Sequence, residues 1–160
     1  MIPVKQVMTT SVVTFREDTP VDEIAARLSA RHITGAPVVT DEGFVVGIVS
    51  EVDVFTKRGT VAREIMSPHV ISITEDTGID EAARLLAGER IRRLPVLKNG
   101  RMVGLISRSD VLDFFATRVW TCAACGYGEH GLQAPDRCAA CSGADFRLER
   151  AHPQDVRERS

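Results

Sequence analysis

The chain has 160 residues, enough for one ordinary domain or two small ones, and its formal charge of −2 at pH 7 excludes the broadly basic surface used to grip nucleic acid. A hydrophobic fraction of 44% against 26% charged residues marks a folded globular chain, and no apolar run approaches the ~20 residues of a membrane span. The opening Met-Ile-Pro-Val-Lys-Gln has no charged stretch leading into a long apolar one, so the expectation is a cytoplasmic protein.

From Val4 to Phe115 the sequence repeats itself, which governs every element within it. Met8 matches Met66, Glu17-Asp18-Thr19 matches Glu75-Asp76-Thr77, and Pro37-Val38 matches Pro95-Val96, all at an offset of 58 residues. Past a turn that is one residue shorter in the second copy, the offset is 57: Gly47 pairs with Gly104, Ser50 with Ser107 and Asp53 with Asp110. Turns tolerate such length changes.

Each copy begins with a short apolar run suited to a strand, Val12 to Phe15 and Val70 to Ile73. Thr19-Pro20 and Thr77-Gly78 are then expected to open helices, with Asp22 and Asp80 near the capping-box position. Val21, Ile24, Ala25 and Leu28 fall at helical spacing, as do Ile79, Ala82, Ala83 and Leu86, so each helix has one stripe to bury. Strands follow at Ala36 to Val39 and Val45 to Val49, and at Leu94 to Leu97 and Met102 to Ile106, before a closing helix. The order is β-α-β-β-α in an α/β (α+β) chain. A unit of about 50 residues buries too little surface alone, so the two copies are expected to pack together.

Where strand meets closing helix, the copies read Gly47-Ile48-Val49-Ser50-Glu51-Val52-Asp53 and Gly104-Leu105-Ile106-Ser107-Arg108-Ser109-Asp110. A hydroxyl and a carboxylate three residues apart at a helix start form a capping arrangement that needs no ligand. The same backbone amides favour anions, and the carboxylate can accept two sugar hydroxyls. Capping and binding can coexist, and two equivalent copies favour a pair of related sites.

Val7-Met8-Thr9, Asp18-Thr19-Pro20-Val21, His32-Ile33-Thr34-Gly35-Ala36-Pro37-Val38-Val39 and the Ser50–Asp53 segment resemble the cystathionine-β-synthase (CBS) domain. The tandem pair, over roughly residues 4 to 117, resembles a Bateman module. The resemblance implies two clefts between repeats related by a pseudo-twofold axis, which bind adenosyl compounds such as AMP, ADP, ATP or S-adenosylmethionine. It also implies a regulatory, non-catalytic role and pairing into homodimers. Carried over, Asp53 and Asp110 are the ribose residues, with Ser50, Ser107 and Ser109 assisting. Backbone of the first strand at Ile71 and Ser72 would line the adenine slot, and Leu94 and Pro95 are further ligand-binding residues.

The copies differ where phosphate would lie: Arg92-Arg93-Leu94-Pro95 stands against Thr34-Gly35-Ala36-Pro37. Two arginines can make forked, charge-assisted hydrogen bonds to phosphate oxygens. The alternative is a solvated basic edge, since Arg84, Arg90, Lys98, Arg101 and Arg108 lie in the same copy.

After Thr117 the composition shifts. Cys122-Ala123-Ala124-Cys125 and Cys138-Ala139-Ala140-Cys141, separated by twelve residues, have the spacing that brings four thiolates to one tetrahedral metal, zinc or iron. Two disulfides or a redox dithiol fit poorly in a chain expected to be cytoplasmic. Trp120-x-Cys-x-x-Cys-Gly-Tyr, Gly131, Ala134-Pro135 and the second pair resemble the rubredoxin-like ribbon that ends rubrerythrins. Ala139 stands where that pattern has proline and Ser142 where it has glycine. A piece of about 30 residues is below the size that folds unaided, so the metal is expected to supply its folding free energy. His32, His69, His130 and His152 are scattered and read as surface or packing residues, because four cysteines fill the coordination sphere.

No nucleophile motif, glycine-rich phosphate loop or metal-hydrolase histidine pair is present. The expected layout is repeat 1 at 1–59, repeat 2 at 60–118, a four-cysteine ribbon at 119–150 and a polar tail at 151–160. The expected function is a non-enzymatic module sensing an adenosyl nucleotide, with a metal ribbon that engages a protein partner or stabilises the assembly. Two rivals stand beside it. One is an iron-bearing electron-transfer ribbon under nucleotide control. The other is a nucleic-acid-binding ribbon, weakened because Arg137 is the one basic residue between Cys122 and Cys141.

Overall fold

The computed structural model describes residues 1–88 and 91–151, so Arg90 of the basic edge, His152 and the tail from 152 lie outside the described residues. The chain forms two compact units, Met1–Met8 with Asp76–Arg93 and Ile106–Ser160, and Thr9–Glu75 with Leu94–Leu105. Each unit draws on both repeats.

In the Thr9–Glu75 unit, helix α1 (Val21–Arg31) buries Ile24 and Leu28 and half-buries Val21 and Ala25, the stripe expected from their spacing. Thr19 does not open it. Pro20 is the N-cap and makes no side-chain bond, while Thr19 Oγ1 accepts the Arg16 N–H and closes the turn ahead of the helix. That turn also shortens the expected strand at Val12 to Phe15. Only Phe15 joins the sheet, bridging Val38 in parallel, because the chain has already turned away at Arg16.

Strands β1 (Gly35–Val39) and β2 (Val45–Ser50) pair antiparallel, with Gly35 opposite Ser50 and all of β1 buried. Short helices α2 (Glu51–Thr56) and α3 (Ala62–Ile65) follow; α3, a single turn, is too short to show a helical periodicity in the sequence. Phe15, Ile24, Leu28, Ala36, Val38, Val49, Ala62 and Ile65 form one core cluster. A second sheet has the order β3 (Ile73–Thr74), β4 (Arg93–Lys98) and β5 (Arg101–Ser107). Ile73 sits opposite Val96 in a parallel ladder, so the Val70–Ile73 run contributes only its last residue.

In the other unit, α4 (Ile79–Gly88) buries Ile79, Ala82 and Leu86 and half-buries Ala83, again on the expected stripe, and α5 (Arg108–Thr117) buries Phe114. The start of the chain clasps α4: Val4 N–H donates to Thr77 O at 2.7 Å and Ile79 N–H to Ile2 O at 2.9 Å. From Asp110 the helix runs to Thr117 and stops short of Trp120. Strand β6 (Arg118–Cys122) begins at the residue after α5 and pairs with β7 (Gly128–Glu129) and β8 (Phe146–Arg150) in the order β7-β6-β8. Val119, Trp120 and Thr121 are β-formers, and pairing of Trp120 with both neighbours outweighs another helical turn. Among the described residues no helix is long and apolar enough to cross a membrane.

Candidate functional site

Ser50 and Ser107 occupy the same place in the two copies, the last residue of a strand and the N-cap of the next helix. In the first copy Asp53 Oδ2 accepts the Ser50 backbone N–H at 2.8 Å and its hydroxyl at 3.0 Å, and the Asp53 N–H donates back to Ser50 Oγ at 3.2 Å. In the second, Asp110 Oδ2 accepts the Ser107 N–H at 2.9 Å and its hydroxyl at 3.1 Å, while the Ser107 and Ser109 hydroxyls lie 2.8 Å apart. The carboxylates are therefore fixed in direction before any ligand arrives. That is the preorganisation a sugar-binding acid needs, and it is also a complete capping motif.

In the first copy the second carboxylate oxygen also holds a cation. Lys57 Nζ sits 2.8 Å from Asp53 Oδ1, one helical turn on. Partial burial pushes the Asp53 carboxyl up, but Lys57 and the two Ser50 donors outweigh it and hold it below its ordinary value. The residue equivalent to Lys57 in the second copy is Phe114, buried and without charge. The i,i+4 spacing of Asp53 and Lys57 is the sequence signal for this pair.

Arg92 is exposed in a bend and Arg93 half-buried at the start of β4. They belong to the same unit as Ser107, Ser109 and Asp110. Ser50, Asp53, Ile71, Ser72, Leu94 and Pro95 belong to the other unit, with Leu94 and Pro95 buried and Ile71 and Ser72 exposed before β3.

The four cysteines converge. Their Sγ atoms all lie within 4.8 Å of one another, with Cys122–Cys141 and Cys125–Cys138 each at 3.6 Å. Disulfide bonding requires ~2.05 Å, whereas four sulfurs at ~2.3 Å from one metal have mutual separations of ~3.8 Å. The donor set therefore fits a tetrathiolate ion. Cys122 and Cys138 are buried, Cys125 and Cys141 exposed. Backbone N–H groups of Cys125 and Ala124 pull the Cys122 thiol down to about 7. The Gly143 N–H pulls on Cys141, but the thiols of Cys125 and Cys122 push it the other way, to about 12.

Both knuckles close in the left-handed region: Gly126 has φ 79° and Ser142 φ 64°. Their N–H groups donate to Cys122 O and Cys138 O, each at 2.9 Å. Gly143 lies against the sulfurs, and a Cβ there would stand 3.2 Å from both Cys122 Sγ and Cys141 Sγ. Trp120 Nε1 donates to Gly131 O at 3.1 Å and closes the far side.

His130, read from sequence as a surface or packing residue, is a clip. Its Nδ1 lies 2.7 Å from Phe115 O and 2.8 Å from Arg118 O, so that nitrogen carries the proton, and its ring stacks on Phe115 at 5.5 Å. Ala151 N–H donates to Thr117 O at 2.8 Å. The ribbon is thus bonded to the last turn of the helix whose first turn holds Asp110. A lone histidine gives no local sequence signal for such a contact.

Comparison with known proteins locates the repeats. Residues 4–58 and 62–117 match the family model described as CBS domain. The CBS domain-containing protein YhcV of Bacillus subtilis is 31% identical over 118 residues, 69% of this chain and 84% of that protein. An inosine-5'-monophosphate dehydrogenase of Thermoplasma acidophilum is 37% identical over 103 residues, 63% of this chain but 21% of the enzyme. The chain likewise spans 43% of the uncharacterized protein MJ1225 of Methanocaldococcus jannaschii. Among solved structures, CBSX2 in complex with AMP aligns at TM-score 0.68 and 28% identity, over 71% of this chain and 95% of that one; a crystal structure of CBSX2 is from Arabidopsis thaliana. The CBS domain pair of protein MJ0100 in complex with 5'-methylthioadenosine and S-adenosyl-L-methionine aligns at TM-score 0.66 and 26% identity, over 72% of this chain and 96% of that one.

Proposed function

The chain belongs to the CBS-domain family through a tandem pair at residues 4–58 and 62–117, and from that premise we propose that it is a non-catalytic regulatory module binding an adenosyl nucleotide. The observation that carries this reading is the likeness to the AMP complex of CBSX2 and the methylthioadenosine and S-adenosylmethionine complex of MJ0100, each covered almost end to end. The preset Ser–Asp boxes supply the chemistry: a carboxylate held by its own helix start takes the two ribose hydroxyls.

The second-copy box is the stronger site. Asp53 already has Lys57 on one oxygen and Ser50 on the other, so ribose must compete with a bonded cation. In the second copy Arg92 and Arg93 share the unit of Asp110 as phosphate ligands, where the first copy has Thr34 and Gly35. Calorimetry with AMP, ATP and S-adenosylmethionine tests this on the full chain and on Asp110→Asn, Asp53→Asn and Arg93→Gln. Asn keeps an oxygen to cap the helix. The expected result is a larger loss from Asp110→Asn than from Asp53→Asn, and a loss for phosphorylated ligands from Arg93→Gln. Equal losses from the two aspartates with Arg93→Gln silent would remove the asymmetry, and absence of binding by all three ligands would remove the reading itself.

Cys122, Cys125, Cys138 and Cys141 would hold the metal of the ribbon. Zinc supplies ~10–16 kcal/mol in small zinc modules, enough to fold a ribbon with so little core, and iron bound by the same thiolates would fold it in the same way. Elemental analysis distinguishes zinc from iron, and visible absorbance reports the ferric tetrathiolate, which zinc lacks. The module pairs with a second copy in this reading. Phe55 and Leu112, equivalent in the two repeats, are 73% and 67% exposed and provide apolar surface for it, and light scattering gives the mass.

A further inference from the structure

In the second copy the Ser107–Asp110 box and the Arg92-Arg93 pair come from different places in the chain, and one side chain ties the two places together. Arg108 is the first residue of α5, between Ser107 and Ser109. Its Nε donates at 3.1 Å and its Nη2 at 2.9 Å to one acceptor, the Leu86 carbonyl in the last turn of α4. That carbonyl is among those a helix end leaves without an intrahelical partner, so a guanidinium there closes the helix and complements its dipole. The chain leaves α4 at Gly88 and within a few residues presents Arg92 and Arg93.

The first copy is the control. Leu28 is the equivalent of Leu86, and backbone serves its carbonyl: His32 caps α1 at φ 53° with its N–H on the Leu28 and Ser29 carbonyls, and the Ile33 N–H adds a bond to Leu28 O at 3.1 Å. Glu51, in the place of Arg108, has no side-chain donor to offer a carbonyl. Its N–H goes to Thr34 O at 2.8 Å, and Thr34 is the equivalent of Arg92, so this fold brings the start of the box helix against the segment where phosphate ligands would stand. The copy that spends a long cation on tying the two helices is the copy that has arginines to hold.

We propose that Arg108 is the positioning residue for phosphate at the second-copy site. By fixing the end of α4 to the start of α5 it sets the Arg92-Arg93 segment in register with Asp110, so that a ligand whose ribose is on Asp110 meets arginines that are already ordered. The guanidinium of Arg108 is itself committed to the Leu86 carbonyl and acts through the pair. The inference rests on the second-copy box being a nucleotide site.

Calorimetry with adenosine and with AMP, on the full metal-loaded chain, tests it through the preference for AMP. Four proteins are compared: wild type, Arg108→Gln, the double variant Arg92→Gln/Arg93→Gln, and the triple variant. Arg108 is exposed and the first copy folds with Glu51 in its place, so folding is retained. Arg108→Gln should lower the AMP preference by about fivefold or more, the low end of ordinary coupling, and leave adenosine affinity unchanged. In the double-variant background the same change should have no further effect, since the groups it positions are gone. Equal losses for adenosine and AMP would overturn the proposal in favour of a general role in folding the box. An AMP loss undiminished in the double-variant background would overturn it by making Arg108 a phosphate ligand in its own right. A wild type that prefers AMP, with Arg108→Gln indistinguishable from it, would overturn this inference and leave the nucleotide reading standing. A wild type that binds neither compound, or both equally, would remove the phosphate site and this inference with it.

Discussion

Ser142 is a non-glycine residue closing a metal knuckle at φ 64°, where its counterpart Gly126 has φ 79°. Left-handed backbone costs an ordinary L-residue ~1–2 kcal/mol. Glycine there removes the strain but restores ~0.4–1 kcal/mol of freedom to the unfolded chain, so Ser142→Gly should stabilise the ribbon by ~0.8 kcal/mol. The backbone bond from Ser142 N–H to Cys138 O is kept, and the Ser142 carbonyl still receives Arg137 Nη1. Because ribbon folding and metal binding are one equilibrium, that energy should appear as about fourfold tighter zinc in competition with a chromogenic chelator. Gly126→Ala is the mirror experiment. A Cβ there meets nothing within 4 Å, so its effect is backbone strain alone and should weaken zinc by a similar factor. Weaker zinc on Ser142→Gly, or an unchanged value together with a silent Gly126→Ala, would refute the strain argument.

Replacing any one of the four cysteines with serine should release metal and expose amides of residues 119–151 to exchange while the repeats stay protected; full metal retention by one variant would break the four-thiolate assignment. Asp53 is held below its unfolded value, so its charge stabilises the fold above the unfolded value of ~3.9 and loses that effect as pH falls through the folded one. Asp53→Asn should therefore lower the thermal midpoint at pH 7 and leave it unchanged once pH is below both values, whereas a uniform loss at every pH would show a purely geometric role. His130→Ala should free the ribbon from the last turn of α5, and removing zinc with a chelator should change AMP affinity by about fivefold in the wild type but less in this variant, by reciprocity of linkage. Identical AMP curves with and without zinc in the wild type would make the ribbon a passenger.

Much of the fold was legible because it is written twice. Ile24 and Leu28, with Ile79, Ala82 and Leu86, are buried as their 3.6-residue spacing requires, and the four cysteines meet as theirs requires. What escaped the sequence lies in bonds between residues with no fixed spacing. Thr19 had the identity of a helix cap and spends its hydroxyl on Arg16, one turn early. His130 bonds to carbonyls fifteen and twelve residues behind it, and nothing local marks that choice. The end of α5 was open to both readings, because Arg118 to Thr121 can continue a helix or pair as a strand, and only the partners β7 and β8 decide.

The joint between α5 and β6 has no spacer, and its length is therefore a quantity under constraint. Trp120 and Cys122 alternate with half-buried neighbours along β6, both on its buried side. One residue inserted after Thr117 would either turn every β6 side chain over, carrying Cys122 out of the metal site, or keep β6 in place and unseat His130 from Phe115. Insertions there should be rejected where the turn at Asn99-Gly100, already one residue shorter than its counterpart, accepts them. Anyone grafting this ribbon onto another protein would have to graft the last turn of the helix with it.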